Sequence, residues 1–310
     1  MNIKEVIDYM MLRPYTLRMG ARNVANRLHC DDNLVREARA IINRVKTEKK
    51  QQRIPKILLF DLETAPMRAY VWSRWKQDIT LDKTISESFI ICWSAKWLYS
   101  NEVMSDTLTK DEVLNGDDKR ICISLWKLVN EADVIVAHNA RHADIPWMNS
   151  RFILNNLPPT KPYITIDTLE IARKQFGFSS NKLDALAGYF NIPHKLHTDF
   201  TLWKECMEGN QESLNYMLEY NMNDVKILEE VYLKLAPWIK GGPNMNVLTN
   251  SDIPVCACCG SEAIELIPKE YYYTSVGKYE LFRCKDCEAV TRGRFSIAEK
   301  KVTKAVSLGK

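Results

Sequence analysis

The sequence predicts an α/β chain in three parts: an N-terminal helical module, a central mixed sheet flanked by helices, and a small cysteine-rich C-terminal module. Three observations predict it. In the middle of the chain, short apolar runs such as Ile57-Leu58-Leu59-Phe60 and Val134-Ile135-Val136-Ala137 alternate with amphipathic stretches. Residues 1–53 carry helical periodicity without strand-like runs. After Gly241-Gly242-Pro243, two Cys-x-x-Cys pairs appear. The length of 310 residues suits two domains, or one large one with appendages. No apolar run approaches the length of a membrane span. With Lys4, Glu5 and Asp8 the first residues lack the apolar centre of a signal peptide, so the expected location is cytoplasmic. Nine cysteines suit that compartment if some of them bind metal.

Taking the elements in order, NIKEVIDYMML reads as a first helix, punctuated by Pro14 and Gly20. GARNVANRLHCDDNLVREARAIINRVK then reads as two helices around Cys30-Asp31-Asp32, with Asp32 or Asn33 as the cap. Val24, Ala25, Leu28, Val35, Ala38 and Ile41 fall at the core spacing of a helix-turn-helix. Its second helix is expected to present Asn33, Arg36, Arg39 and Arg44 outward. His29 stands where such turns often have glycine. Residues 1–56 hold 13 Lys/Arg against 6 Asp/Glu, so they offer a phosphate backbone a basic surface. The same helices equally read as a subdomain that docks on its neighbour. VKTEKKQQRIPK is the expected linker.

Residues 57–60 form a buried strand in this reading. It ends in Asp61 and Glu63, whose side chains alternation puts on one face. Two adjacent carboxylates repel unless a cation lies between them, and all-oxygen ligands point to Mg²⁺ or Mn²⁺. Taken alone, the pair equally reads as a strand end with two solvated acids. A hairpin around Ile90–Trp97 and Glu102–Leu108 follows, then the Val134 strand. His138 and His142 read as structural histidines. DIPWMNSRFILNN reads as a helix with Asp144 at the N-cap and Pro146 in the first turn, so Asp144 alone is a plausible capping residue. A strand at Tyr163–Ile166 completes the sheet. SLNYMLEYNMNDVKILEEVYLKL is an amphipathic helix with Tyr220 and Asp224 four apart on one face. A tyrosine hydroxyl beside a metal-binding carboxylate can orient a water.

Jointly, D-x-E at Asp61 and Glu63, N-x(4)-D at Asn139 and Asp144, and Y-x(3)-D at Tyr220 and Asp224 resemble the motifs of the DEDD exonucleases of the DnaQ-like, RNase H-like superfamily. The tyrosine (DEDDy) subclass is indicated, because Glu219 stands where the histidine subclass needs His. Ala143 departs from the aromatic usual before the second aspartate. NKLDALAGYFNIPHK, residues 181–195, resembles the segment before the third motif. The resemblance covers roughly residues 55 to 240 and is nearest to exonuclease domains of family B polymerases and to stand-alone, often phage-encoded, relatives. It implies an RNase H-like mixed sheet and a 3′–5′ exonuclease releasing nucleoside 5′-monophosphates through two Mg²⁺ or Mn²⁺ ions. The implied ligands are Asp61, Glu63, Asp144 and Asp224, with Tyr220 positioning the attacking water and Asn139 touching substrate. DNA is favoured over RNA, as single strand or duplex 3′ end. The central residues 57–243, with 20 Lys/Arg against 25 Asp/Glu, suit a chamber for cations.

Cys256 and Cys259, then Cys284 and Cys287, have the spacing of a four-thiolate zinc ribbon with one structural Zn²⁺. Cys258 is an alternative ligand. Tyr271, Tyr272 and Tyr273 in the intervening hairpin either pack the ribbon or stack on bases. All eight tryptophans lie between residues 72 and 238. Trp93, Trp97 and Trp126 read as core, and Trp72 and Trp75 lie close enough in sequence to the first motif to reach a cleft. The expected domains are residues 1–53 helical, 54–243 exonuclease-like, 250–298 zinc ribbon and 299–310 a basic tail. Alternatives of other kinds are a structure-specific endonuclease and a nucleic-acid-binding regulator whose central domain is inert. The sequence contains no Gly-rich phosphate loop, Ser/His/Asp set or internal repeat. It does not name a polymerase or replisome partner.

Overall fold

In a computed structural model of the protein, residues 2–48, 53–193, 196, 198–251 and 253–298 are described. Linker residues 49–52, the Arg44 side chain, Lys195 and the expected basic tail at 299–310 lie outside the described residues. The chain divides into two compact units, residues 1–54 with 246–254, and residues 55–245 with 255–310.

The first unit holds α1 (Ile3–Leu12), a 3₁₀ turn (Pro14–Arg18), α2 (Ala21–Leu28) and α3 (Asp32–Glu48). Asn2 and Glu5 cap α1 reciprocally. His29 takes the left-handed conformation (φ 51°) that ends α2. The cap of α3 is Asp31, whose carboxylate accepts the Asn33 N–H at 2.7 Å, and neither Asp32 nor Asn33 serves. Val6, Met10, Val24, Ala25, Val35, Ala38 and Ile42 form the core. Ile42 takes the fully buried position expected of Ile41, one residue earlier on the helix. Arg39 corrects another expectation. Its guanidinium, expected outward, is half-buried and donates to the carbonyls of Thr16 and Met19 at the turn before α2.

The second unit is organised by β1 (Ile57–Thr64), central in a five-stranded sheet of order β5-β4-β1-β6-β7. β4 (Ile90–Trp97) and β5 (Met104–Thr107) run antiparallel on one side, while β6 (Val134–Ala137) and β7 (Ile164–Asp167) run parallel on the other. Between β1 and β4 the chain makes an outlying pair, β2 (Arg68–Ala69) with β3 (Thr84–Ser86). A strand central in a sheet with both faces covered must be apolar throughout, which explains the run from Ile57 to Phe60. The covering helices are identified by β4. Trp93 donates its indole N–H to Ile121 of α5 (Lys119–Glu131), while Lys96, of opposite parity, pairs with Glu229 of α10 (Gln211–Leu235). Helices α5 and α10 thus lie on opposite faces.

The remaining helices are α4 (Lys110–Asn115), α6 (Asp144–Leu154), α7 (Thr168–Gln175), α8 (Leu183–Tyr189) and α9 (Phe200–Met207). A second cluster, including Ala172, Leu186, Ala187, Ile227 and Val231, binds α7 and α8 to α10. Asp118, fully buried, accepts two bonds from Arg151 and one each from Ile90 N–H and Asn155, which ties α5, β4 and α6 together. These donors outweigh the cost of burial and lower its pKa. The C-terminal part of this unit is a three-stranded sheet of β8 (Ile264–Thr274), β9 (Gly277–Cys284) and β10 (Val290–Arg292), so the cysteine-rich residues share a unit with the central sheet. No helix among the described residues is long and apolar enough to cross a membrane.

Candidate active site and cysteine cluster

Asp61 and Glu63 leave β1 on the face covered by α10. Their β4 partners are Ser94 and Cys92, in the same parity as Lys96. Alternation therefore delivers both carboxylates beneath the helix that carries Asp224. Carboxylate oxygens of Asp61, Glu63 and Asp224 all lie within 4.8 Å of one another. Cys92, opposite Glu63, reports the local field: burial first, then the Glu63 and Asp61 charges, push its thiol pKa well up.

One residue missed in the sequence holds this group. Asn221 is fully buried on α10, and its Nδ2 donates to Asp61 Oδ2 at 2.7 Å. Its position three residues before Asp224 puts the two side chains one turn apart. The only signal was a polar residue on the helix face that also carries Tyr220 and Asp224.

Asp144 is placed differently from the expectation. The helix starts at Asp144 itself after Ala143, which makes no side-chain cap. The Asp144 carboxylate is instead buried, 7% exposed. Burial raises its pKa to about 7, opposed by the nearby backbone N–H groups of Asp144 and Leu62, with Asp167 adding to the rise. It stands outside the group of three. Tyr220 is buried in the main core, also away from the cleft lining.

The three carboxylates open into a cleft of about 460 Å³. His138 and Asn139 line it after β6, and Arg173, Ser179, Ser180, Asn181 and Lys182 line it between α7 and α8. Asn139 has φ 69°, a left-handed conformation asparagine tolerates better than most residues. Asp167, at the end of β7, fixes this loop. Its oxygens accept Asn139 and Arg141 N–H groups at 3.1 Å, and also Leu169 and Glu170 at the start of α7. One buried carboxylate thereby sets the helix cap and the cleft loop together. His138 Nδ1 lies 2.9 Å from the Thr168 hydroxyl. His142 brings no ligand atom to the metal-type clusters. Arg36 is exposed on α3 and pairs with Asp32 at 3.0 Å.

Cys256, Cys259, Cys284 and Cys287 also gather within 4.8 Å, and Cys258 is not among them. The Cys256–Cys287 and Cys259–Cys284 sulfurs are 3.6 and 3.7 Å apart. A disulfide needs about 2.03–2.05 Å. A tetrahedron of thiolates at the usual Zn–S distance of about 2.3 Å has edges of about 3.8 Å. The cluster fits a zinc site. Burial would raise the Cys284 pKa, but the N–H groups of Cys287 and Asp286 and neighbouring thiols lower it to about 7.

Residues 88–236 match the family model RNase_H_2, described as RNase_H superfamily. The matched segment contains Asp144, Tyr220 and Asp224 and begins after Asp61 and Glu63. No curated protein shows a significant match to the chain. With the mixed sheet and its flanking helices, the match supports an RNase H-like domain. Such a domain suggests a nuclease-type function on nucleic acid, and RNase H-like nucleases usually use divalent metals.

Proposed function

We propose that the chain is a metal-dependent 3′–5′ exonuclease of the tyrosine DEDD type that acts on nucleic acid, DNA in preference to RNA. The observation that carries this reading is the meeting of Asp61, Glu63 and Asp224, 163 residues apart at the extremes, at the mouth of one cleft. Three carboxylates within 4.8 Å repel one another, and Asn221 donates to Asp61 Oδ2. An all-oxygen, multiply anionic donor set suits Mg²⁺ or Mn²⁺.

Asp61, Glu63 and Asp224 would hold the metal, with Asp144 completing the set implied by the motif resemblance. Bound there, a pair of ions supplies an ionised water near neutral pH and charge compensation at the attacking and leaving oxygens. The chain's own residues do the rest. Asn221 fixes the rotamer of Asp61. Arg173 and Lys182 bring positive charge to a cleft otherwise dominated by carboxylates and orient a phosphodiester there. Asn139 lines the same cleft, where it can touch the substrate. The resemblance assigns the water-orienting role to Tyr220. Tyr220→Phe tests it cleanly, since the ring that packs the core is kept and only the hydroxyl is lost. The four cysteines would hold one structural Zn²⁺, and exposed Arg36 would add affinity for a phosphate backbone. The site of action in this reading is the cytoplasm, that of the host cell if the chain is phage-encoded.

The test uses oligonucleotides of DNA and RNA labelled at either end, with Mg²⁺ or Mn²⁺. A 5′-labelled strand shortening by single steps, while a 3′ label is released at once as a mononucleotide, is the expected result. Internal cuts without a ladder would favour an endonuclease. Binding without any metal-dependent turnover would favour the inert regulator.

A further inference from the structure

Between Glu63 and β4 the chain makes an excursion, MRAYVWSRWKQDITLDKTI (residues 67–85), based on the β2–β3 pair. Its large apolar side chains are not packed. Trp72 is 95% exposed, Trp75 82% and Tyr70 74%. Scattered exposed apolar residues are ordinary, but two tryptophans and a tyrosine within six residues are an exposed aromatic surface. The backbone beneath them is nonetheless shaped. Ser73 Oγ and Gln77 Nε2 both donate to the Trp75 carbonyl, at 3.0 and 2.8 Å. Tyr70 N–H donates to Lys83 O at 2.9 Å, and Lys83 Nζ to Asp78 O at 3.0 Å. The turn is thus built by polar contacts that leave the rings outward.

Charge and position indicate what covers them. Arg68, Arg74, Lys76 and Lys83 interleave with the aromatics, against Asp78 and Asp82. Arg74 and Lys76 flank Trp75 directly. The excursion leaves the end of β1 that carries Glu63, and Ala65 N–H returns to Phe89 O at 2.8 Å, so its base adjoins the carboxylate cleft. Trp72 lies nine positions after Glu63, a reach of at most about 30 Å.

We propose that this excursion is a stacking platform for the bases of a single-stranded nucleic acid whose terminus lies in the cleft. Alternating rings and cations meet the alternating bases and phosphates of a single strand. A duplex keeps its base faces stacked and offers the platform only its backbone. The inference rests on the nuclease reading above, and it adds the strandedness of the substrate.

Binding is measured on the full chain carrying Asp224→Asn, by anisotropy of fluorescein-labelled oligonucleotides and by co-sedimentation with vesicles. The probes are a 12-mer of thymidylate, an abasic oligonucleotide of equal length, a blunt duplex and anionic phospholipid vesicles. Trp72→Ala/Trp75→Ala is expected to weaken thymidylate binding about tenfold or more. The weaker abasic and duplex affinities should not change. Trp72→Phe/Trp75→Phe, which keeps a stacking face, should retain most of the affinity. Unchanged thymidylate binding in the alanine variant would overturn the proposal. So would an equal loss for the abasic strand, equal losses with Phe and Ala, or a loss confined to vesicles. Hydrolysis of bis(p-nitrophenyl) phosphate with Mn²⁺, which needs no base contact, reads the carboxylate centre separately. Measured on chains that keep Asp224, it should be equal with and without the two tryptophans. Its absence in both would sink the nuclease reading while leaving the stacking result legible.

Discussion

Asn221→Leu isolates the contact that orders the carboxylate centre. Leucine keeps the branched outline of asparagine with somewhat more bulk, so at this fully buried position on α10 it removes the donor without opening a cavity, and the thermal transition reads any overpacking. What is lost is one 2.7 Å hydrogen bond to Asp61 Oδ2. A hydrogen bond to a charged group contributes about 1.5–3 kcal/mol, and partners of metal ligands typically change metal affinity about 10–100-fold. We therefore expect Mn²⁺ affinity to fall about 10–100-fold, because Asp61 must then be ordered at the expense of binding. Turnover at saturating metal should recover far more than turnover at limiting metal. Calorimetric titration with Mn²⁺, beside activity against Mg²⁺ concentration, separates the two. Equal Mn²⁺ affinities in wild type and a variant with an intact thermal transition would refute the role assigned to Asn221.

Asp144 makes the metal-free protein pH-sensitive. With its pKa raised by burial to about 7, the folded state favours the protonated acid. This contribution is complete below about pH 4 and is lost as pH rises through about 7, a change on the order of a few kcal/mol. Metal-free melting should therefore fall from pH 5 to pH 8, and Asp144→Asn should flatten that slope. Cys256→Ser should reduce zinc from one per chain to near zero by elemental analysis and expose the β8–β9 hairpin to proteolysis, while Asp224→Ala leaves the zinc in place. Arg39→Met should destabilise the helical unit by about 1–3 kcal/mol through the lost bonds to Thr16 and Met19, without changing the salt dependence of nucleic-acid binding. Arg36→Met should do the reverse, reducing the salt slope by about one with stability within about 1 kcal/mol of wild type.

The β1 run, the hairpin onward from Ile90 and the placement of Asp61 and Glu63 on one face were legible because period-two patterning fixes them with little help from tertiary context. The four cysteines were legible because few arrangements other than a metal site use two Cys-x-x-Cys pairs. Side chains whose role is set by a distant partner were not. Asn221 lies on an amphipathic helix and Asp118 just before one, and only the fold brings Asp61 to the first and Arg151 to the second. Arg39 reads as an outward cation until the turn at Thr16–Met19 gives it two carbonyls. Asp144 reads as a helix cap, and only the fold shows the helix starting at that residue with its carboxylate buried. The cleft wall from Ser179 to Lys182 carries no motif that distinguishes it from a polar loop.

The most direct test of the carboxylate centre is hydrolysis of a 5′-labelled single-stranded oligonucleotide by wild type, Asp61→Ala and Asp224→Ala, each with Mg²⁺ and with EDTA. Stepwise shortening by the wild type alone, and only with metal, is the predicted result. Equal shortening by either alanine variant, or shortening in EDTA, would contradict the assignment of these residues as metal ligands.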